Sequence, residues 1–224
     1  MFKKFVIIAG LFLACNAYCQ TYEFDYMLEE EYTVSPDYIT QHIYQYTNSK
    51  NNSYILTVKE TNNEILSLFL LDREKQVAVG TISKTDFFDV DSNIFKCDAV
   101  HIYRNTNKME QIKNYNFITF KDTIINAVAY NHYALKSVNA KRAKRKNIGI
   151  LHYITHKDMP FYTPTLLPDP ATYEEWKATK NIPYGVYKQH YIVMPDGKKM
   201  QVHNLTSYKK CLKNMILEIC DTSN

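Results

Sequence analysis

SYILTVKE (residues 53–60), TNN (61–63) and EILSLFLL (64–71) form the stretch whose reading decides the fold. Two short runs rich in aliphatic and β-branched residues flank a polar segment carrying two asparagines. Each run is too short for a typical helix, and the break between them is turn chemistry, so the stretch predicts a β-hairpin.

Strand signals continue outward on both sides. Tyr22, Phe24, Tyr26 and Leu28 alternate with Glu23, Asp25 and Glu29, which predicts a strand with one wet face. Further strands are expected at 76–83, 95–104, 116–121, 126–138 and 149–156. Another pair, 185–194 and 199–205, flanks the turn Pro195-Asp196-Gly197.

Helical spacing is read in three places. Ser35-Pro36-Asp37 resembles a helix start, and Ile39, Ile43 and Tyr46 follow at helical intervals, predicting a helix over about 36–47. Asp169-Pro170 opens a second, with Tyr173 and Trp176 to bury. Leu212, Met215, Ile216 and Ile219 predict a third at the end of the chain.

Strands following strands without βαβ alternation imply a mainly β (α+β) fold. The expected form is an antiparallel curved sheet or half-barrel of about nine strands with two or three short helices. The stretch MPFYTPTLLPDP (159–170) is expected to cross over that sheet. Nineteen Tyr, eleven Phe and only five Gly suit pleated, half-buried surfaces.

The N-terminus reads as a signal peptide over 1–19. Lys3 and Lys4 precede the apolar run FVIIAGLFLA (5–14), and Ala17 and Cys19 fit a cut before Gln20. The run is too short to span a bilayer, which takes roughly 20 apolar residues. Cys15 after Leu13-Ala14 loosely resembles a lipobox, and acylation there would tether the mature chain by a lipid anchor. Residues 20–224 are then one exported β-rich domain, periplasmic, outer-membrane-associated or extracellular.

Charge and cysteine content narrow the partners. The chain has 27 basic and 23 acidic residues, and 25 against 23 once Lys3 and Lys4 are gone. That balance argues against nucleic-acid binding as the main role. Cys97, Cys211 and Cys220 remain after the expected cut, an odd number in a compartment that permits disulfides. A helix through 211–220 would hold Cys211 and Cys220 about 13.5 Å apart, beyond disulfide reach. Pairing of Cys97 with either stays open, as do free thiols.

Chemical motifs are sparse. His152 and His156 share a strand face but stand about 13 Å apart, too far to share one metal ion. Asp89, Asp91 and Asn93 have the opening spacing of a calcium loop, but Ile94 and Val100 occupy its glycine and glutamate positions. The basic run Lys141, Arg142, Lys144, Arg145 and Lys146 reads as a solvated hairpin tip. There is no nucleophile elbow, protease-type cysteine or Gly-rich phosphate loop. No cofactor or metal is implied. Phe161, Tyr162, Tyr173, Trp176, Tyr184 and Tyr187 cluster in sequence and are candidates to line an apolar ligand pocket, with core packing as the alternative.

Several short segments resemble a known group. They are Gln20-Thr21-Tyr22-Glu23-Phe24, IINAVAYNHYAL (124–135), HYITHKDMPFYTP (152–164), NIPYGV (181–186) and the Asp196-Gly197 turn. Together they resemble the secreted GLPGLI family of Bacteroidota and, more distantly, LolA-like lipoprotein-sorting sheets. NIPYGV keeps the proline and one displaced glycine of the name-giving motif, and the family's mid-strand cysteine has no counterpart between 124 and 135. The resemblance implies a half-barrel-like antiparallel sheet and carries no chemistry. The expected function is a non-enzymatic binding protein for an apolar small molecule or an envelope protein. The alternatives are a hydrolase with a dispersed site, or an envelope assembly or structural factor.

Overall fold

The computed structural model describes residues 19–35, 38–96, 98–104 and 114–218. Among them run thirteen strands: β1 (Cys19–Thr33), β2 (Gln41–Asn48), β3 (Asn51–Glu60), β4 (Ile65–Asp72), β5 (Gln76–Ser83), β6 (Ser92–Phe95), β7 (Val100–Arg104), β8 (Tyr115–Thr119), β9 (Thr123–Ile125), β10 (Val128–Ser137), β11 (Ile150–Thr155), β12 (Tyr187–Val193) and β13 (Lys199–Glu218). The helices are α1 (Lys84–Phe88), α2 (Ala140–Arg145) and α3 (Pro170–Thr179). The strands make one open, curved sheet ordered β7-β5-β4-β3-β2-β1-β13-β12-β11-β10-β8. Pairing along this path is antiparallel; β6 adds to β13 in parallel and β9 to β10.

The two longest strands form its spine. β1 pairs with β13 from Cys19 against Glu218 to Thr33 against Val202, with irregularities at Phe24/Tyr26 and Glu29/Glu30. The first irregularity reverses the inward face of β1. Tyr22, Phe24 and Met27 join one core, whereas Tyr26 and Leu28 join another.

The first core lies on the β1–β5 half. Tyr46, Leu56, Val58, Leu66, Leu68, Leu70 and Ala78 pack with Phe87 of α1, Phe95 of β6, and Met215 and Leu217 of β13. Each fully buried aliphatic or aromatic side chain contributes about 1.5–3 kcal/mol of burial. The second core lies under the β8–β12 half, where Tyr133, Leu135, Leu151 and Tyr153 meet Leu166, Leu167, Ala171, Tyr173 and Trp176. The segment before α3 does cross the sheet, and Arg73 pins it there. The guanidinium donates to Asn52 O at 2.6 Å, Leu166 O at 2.7 Å and Leu167 O at 3.1 Å. Burial lowers Arg73 to about 10, which leaves it charged at neutral pH.

Two expected helices are strands. In β2, Ile43, Gln45 and Thr47 are buried on one face while Tyr46 is buried on the other. With both faces covered, no polar stripe marks period two, and three apolar residues fall at helical spacing by coincidence. The residues themselves, Ile, Tyr, Thr and His, are ordinary strand formers. Pro36 and Asp37, the supposed helix start, lie outside the described residues. At the C-terminus, Leu212 is 68% exposed and Lys213 6% exposed, the reverse of the helical reading. Lys213 fills an inward strand position between Cys211 and Met215. Its ammonium lies 4.2 Å over the Phe87 ring and donates to the carbonyls of Phe87 and, at 2.6 Å, Val90. A buried lysine inside a period-two pattern disguised the strand.

Other expectations change in detail. The run 95–104 splits into β6 and β7. The basic run is a six-residue helix, α2, capped by Asn139, rather than a bare turn, and its lysines and arginines face solvent or lie half-exposed. Cys211 is a free, half-buried thiol raised to about 11, chiefly by burial. With β13 extended, the helical spacing argument for Cys211 and Cys220 lapses; Cys220, Cys97, Ile219 and, of the expected signal peptide over 1–19, all but Cys19 lie outside the described residues.

The strand assignment at the C-terminus has a direct test. Lys213→Met strands two buried carbonyls and is expected to cost about 1–3 kcal/mol in urea unfolding. Leu212→Lys, at an exposed position, is expected to change stability by less than about 0.5 kcal/mol. A helix would give the opposite order.

Candidate functional site

The curved sheet borders a half-open cavity of about 720 Å³. One wall comes from Ile43, Thr57, Lys59, Phe69 and Val79 on β2–β5, the other from Leu135, Leu151 and Ile192 on β10–β12. Leu167, Pro168 and Asp169, from the segment held by Arg73, border it. Alternation explains the lining: on β3 and β4, Leu56, Val58, Leu66 and Leu70 go to the core, so Thr57 and Phe69 face the other way. Lys59 lies 5.2 Å over the Tyr32 ring, also at the cavity, which gives the lining a cationic point.

A row of polar side chains crosses the middle of the sheet beside this cavity. Glu30 on β1 is opposite Leu205 on β13, so His203, two residues along, is its diagonal neighbour on the same face. His203 in turn pairs directly with His190 on β12. Glu30 is 0% exposed and accepts from three partners: Oε1 from the Tyr187 hydroxyl, Oε2 from His203 Nδ1 at 2.8 Å and from Gln45 Nε2 at 3.4 Å. Burial of a carboxylate is tolerable only with such partners.

His190 is also 0% exposed, yet among the described residues neither of its ring nitrogens has a hydrogen-bond partner. Its ring lies 4.0 Å from that of His203 and 4.4 Å, edge-on, from Tyr187. Burial first, then the neighbouring His203, pushes its pKa well below the ordinary value, so the imidazole is neutral. Burial and then the Glu30 carboxylate hold Tyr187 well above the tyrosine range, fixing it as a hydroxyl donor. The potential ligand atoms of Glu30, His190 and His203 all lie within 4.8 Å of one another. Gln45 and His203 reach the cavity lining, so the row and the cavity are one site. Gln201, next to it on β13, has φ 48, a left-handed conformation uncommon for glutamine, where the β12–β13 register shifts.

The six aromatic candidates are divided by the fold, and none of them lines the cavity. Tyr173 and Trp176 pack α3 onto the sheet, Phe161 packs on the Tyr26 ring at 4.6 Å, and Tyr187 supports Glu30. Tyr162 and Tyr184 are exposed at 67% and 46%. His156 stacks edge-on between Tyr130 and Tyr208. His152, instead of reaching along its strand to His156, meets His132 of β10, Nε2 of His132 lying 3.0 Å from its Nδ1.

Glu30, His190 and His203 escaped the sequence reading because they are far apart in the chain and match no spacing motif. Two signals pointed to them. Glu29-Glu30-Glu31 lies in an alternating strand, which turns one of three glutamates inward. His190 precedes Asp196 by six residues and His203 follows Gly197 by six, so they stand at matching distances from the turn, and the register shift between His190 and Ile192 completes their pairing.

No family model matches the chain, nor does any curated protein, so the GLPGLI resemblance stays with the short segments quoted above. Among solved structures, the chain is similar to an outer membrane lipoprotein-sorting protein domain from Vibrio parahaemolyticus. The match covers 84% of this chain and 85% of that one, at 8% identity and a TM-score of 0.33. No function passes across from a likeness that weak. No helix among the described residues is long and apolar enough to cross a membrane.

The histidine pair on the opposite face has a measurable consequence. Burial first, then His132 and Lys199, lower His152 to about 4. In the unfolded chain its pKa is about 6.5, so between about pH 6.5 and 4 the unfolded state takes up a proton that the folded state excludes. The stability this group contributes is complete above that window and lost as pH falls through it. Urea midpoints at pH 7 and pH 5 are expected to differ, and His152→Gln is expected to shrink the difference.

Proposed function

We propose that this protein binds a predominantly apolar small molecule in the concavity of its sheet, and that it does so in the cell envelope after export. The observation that carries the binding half is the cavity of about 720 Å³ with walls of Ile43, Phe69, Val79, Leu135, Leu151 and Ile192. That volume lies within the roughly 300–1,000 Å³ typical of small-molecule sites, and a mostly apolar lining with a few convergent polar groups is their usual chemistry. Lys59 and the Glu30–His203 pair supply the polar end. The export half rests on Lys3-Lys4 followed by FVIIAGLFLA.

A hydrolase is the second reading, and one observation favours it. Glu30 orients the His203 ring at the edge of the cavity, as an acidic residue orients a general base. No nucleophile stands out among the described lining residues, so binding is the better account of the geometry.

The test uses 1-anilinonaphthalene-8-sulfonate, an apolar anion whose fluorescence rises in dry surroundings. Saturable one-to-one binding is expected for the native protein. Phe69→Glu puts a carboxylate into the wall and is expected to weaken binding about tenfold or more. Leu212→Glu, on the exposed side of β13, leaves it unchanged. Absence of saturable binding, or equal loss in both variants, removes the cavity as the site. Intact mass of protein from its own envelope reads the mature N-terminus, and native mass spectrometry reads any retained ligand.

A further inference from the structure

We propose that Glu30, His190 and His203 form a binding site for one divalent transition-metal ion, of which Zn²⁺ is the natural probe. The ion would sit at the polar edge of the proposed ligand cavity, and its binding is read without any apolar ligand.

The first observation is the constellation itself: one carboxylate and two imidazoles on three adjacent strands, their ligand atoms within 4.8 Å of one another. Two histidines and a glutamate are a donor set that zinc takes in catalytic sites, where a fourth position stays available to water or substrate. Mixed nitrogen and oxygen donors also suit neighbouring divalent metals, and not calcium or magnesium, which take oxygen.

The second observation is the unmet chemistry of His190. A side chain with 0% exposure and no hydrogen-bond partner at either nitrogen among the described residues is unusual, since buried polar atoms are nearly always paired. Its ring contacts are with His203, Tyr187 and Tyr153, none of which hydrogen-bonds it. A metal bond to one nitrogen answers that deficit.

The third observation is support around the donors. Tyr187 donates to the Glu30 oxygen that does not meet His203, and Gln45 donates to the other. Such outer contacts orient ligating groups and tune affinity. A fully buried Glu30 also supplies the negative charge that a cation needs in a place with little water. Tetrahedral zinc with bonds of about 2.1 Å holds its donors about 3.4 Å apart, so side-chain rotations that close up to about 1.4 Å complete the site, with the His203 Nδ1–Glu30 hydrogen bond giving way to the ion. His203 lines the cavity, which gives the ion an entry path.

The experiment is titration of the chelator-treated full protein with Zn²⁺ by calorimetry and with Co²⁺ by visible absorption. One ion per chain is expected, with Co²⁺ bands of a four- or five-coordinate centre. His203→Gln and His190→Gln are expected to abolish both signals. Tyr187→Phe is expected to weaken Zn²⁺ binding by about 10–100-fold. His152→Gln, which removes the half-buried His132–His152 pair, is expected to change nothing. Circular dichroism checks each variant; if His190→Gln does not fold, His203→Gln, at the more accessible ligand, decides. No saturable binding, binding that survives His203→Gln, or equal loss in His152→Gln overturns the assignment.

Discussion

The pairing of β1 with β13 is the constraint on which the rest depends. It joins the first and last strands along nearly their whole length, and each half of the sheet grows from one side of it. The halves have separate cores among the described residues, joined by this spine and by the segment that Arg73 holds. Bringing together segments nearly two hundred residues apart costs loop entropy that grows only slowly with length. The kinetic cost is larger, because sheets held by distant pairings fold slowly.

Curvature follows from where the spine is irregular. The break at Phe24/Tyr26 exchanges the inward faces of β1, so one strand serves two cores. The shift between His190 and Ile192 on β12, next to Gln201 on β13, sets His190 directly across from His203. Both are local departures from ideal pleating, and the second falls where the polar row and the cavity meet. Bulges commonly re-aim side chains beside functional sites.

Much of this fold was legible. The hairpin at 53–71, the strand at 22–28, the helix opening at Asp169 and the turn at Asp196-Gly197 all rest on local rules that tertiary context did not override. Strand type failed where both faces of a strand are covered, as at Ile43 to Thr47, and where a lysine is buried, as at Lys213. In each case the hydrophobic pattern loses the alternation that marks a half-exposed strand. The site was harder to read. A pocket in a curved sheet takes single residues from many strands, so nothing accumulates locally in sequence. The aromatic cluster was visible because it is contiguous, and contiguity in this chain reflects α3 packing on the sheet more than a shared wall. The Glu30–His203–His190 row depends on register, which the hairpin symmetry hints at and the β1–β13 pairing completes.

Antiparallel pairing of the spine also puts Cys19 and Glu218 side by side at one end of the sheet. Tension applied between those two neighbouring ends would load the ladder rung by rung, as a zipper is opened, rather than all rungs together in shear. The ladder is therefore softer to pulling between Cys19 and Glu218 than to shear along the strands. A pull on those two strand ends would part the ladder first there, on the side away from His203, and the inner chamber would be the later casualty.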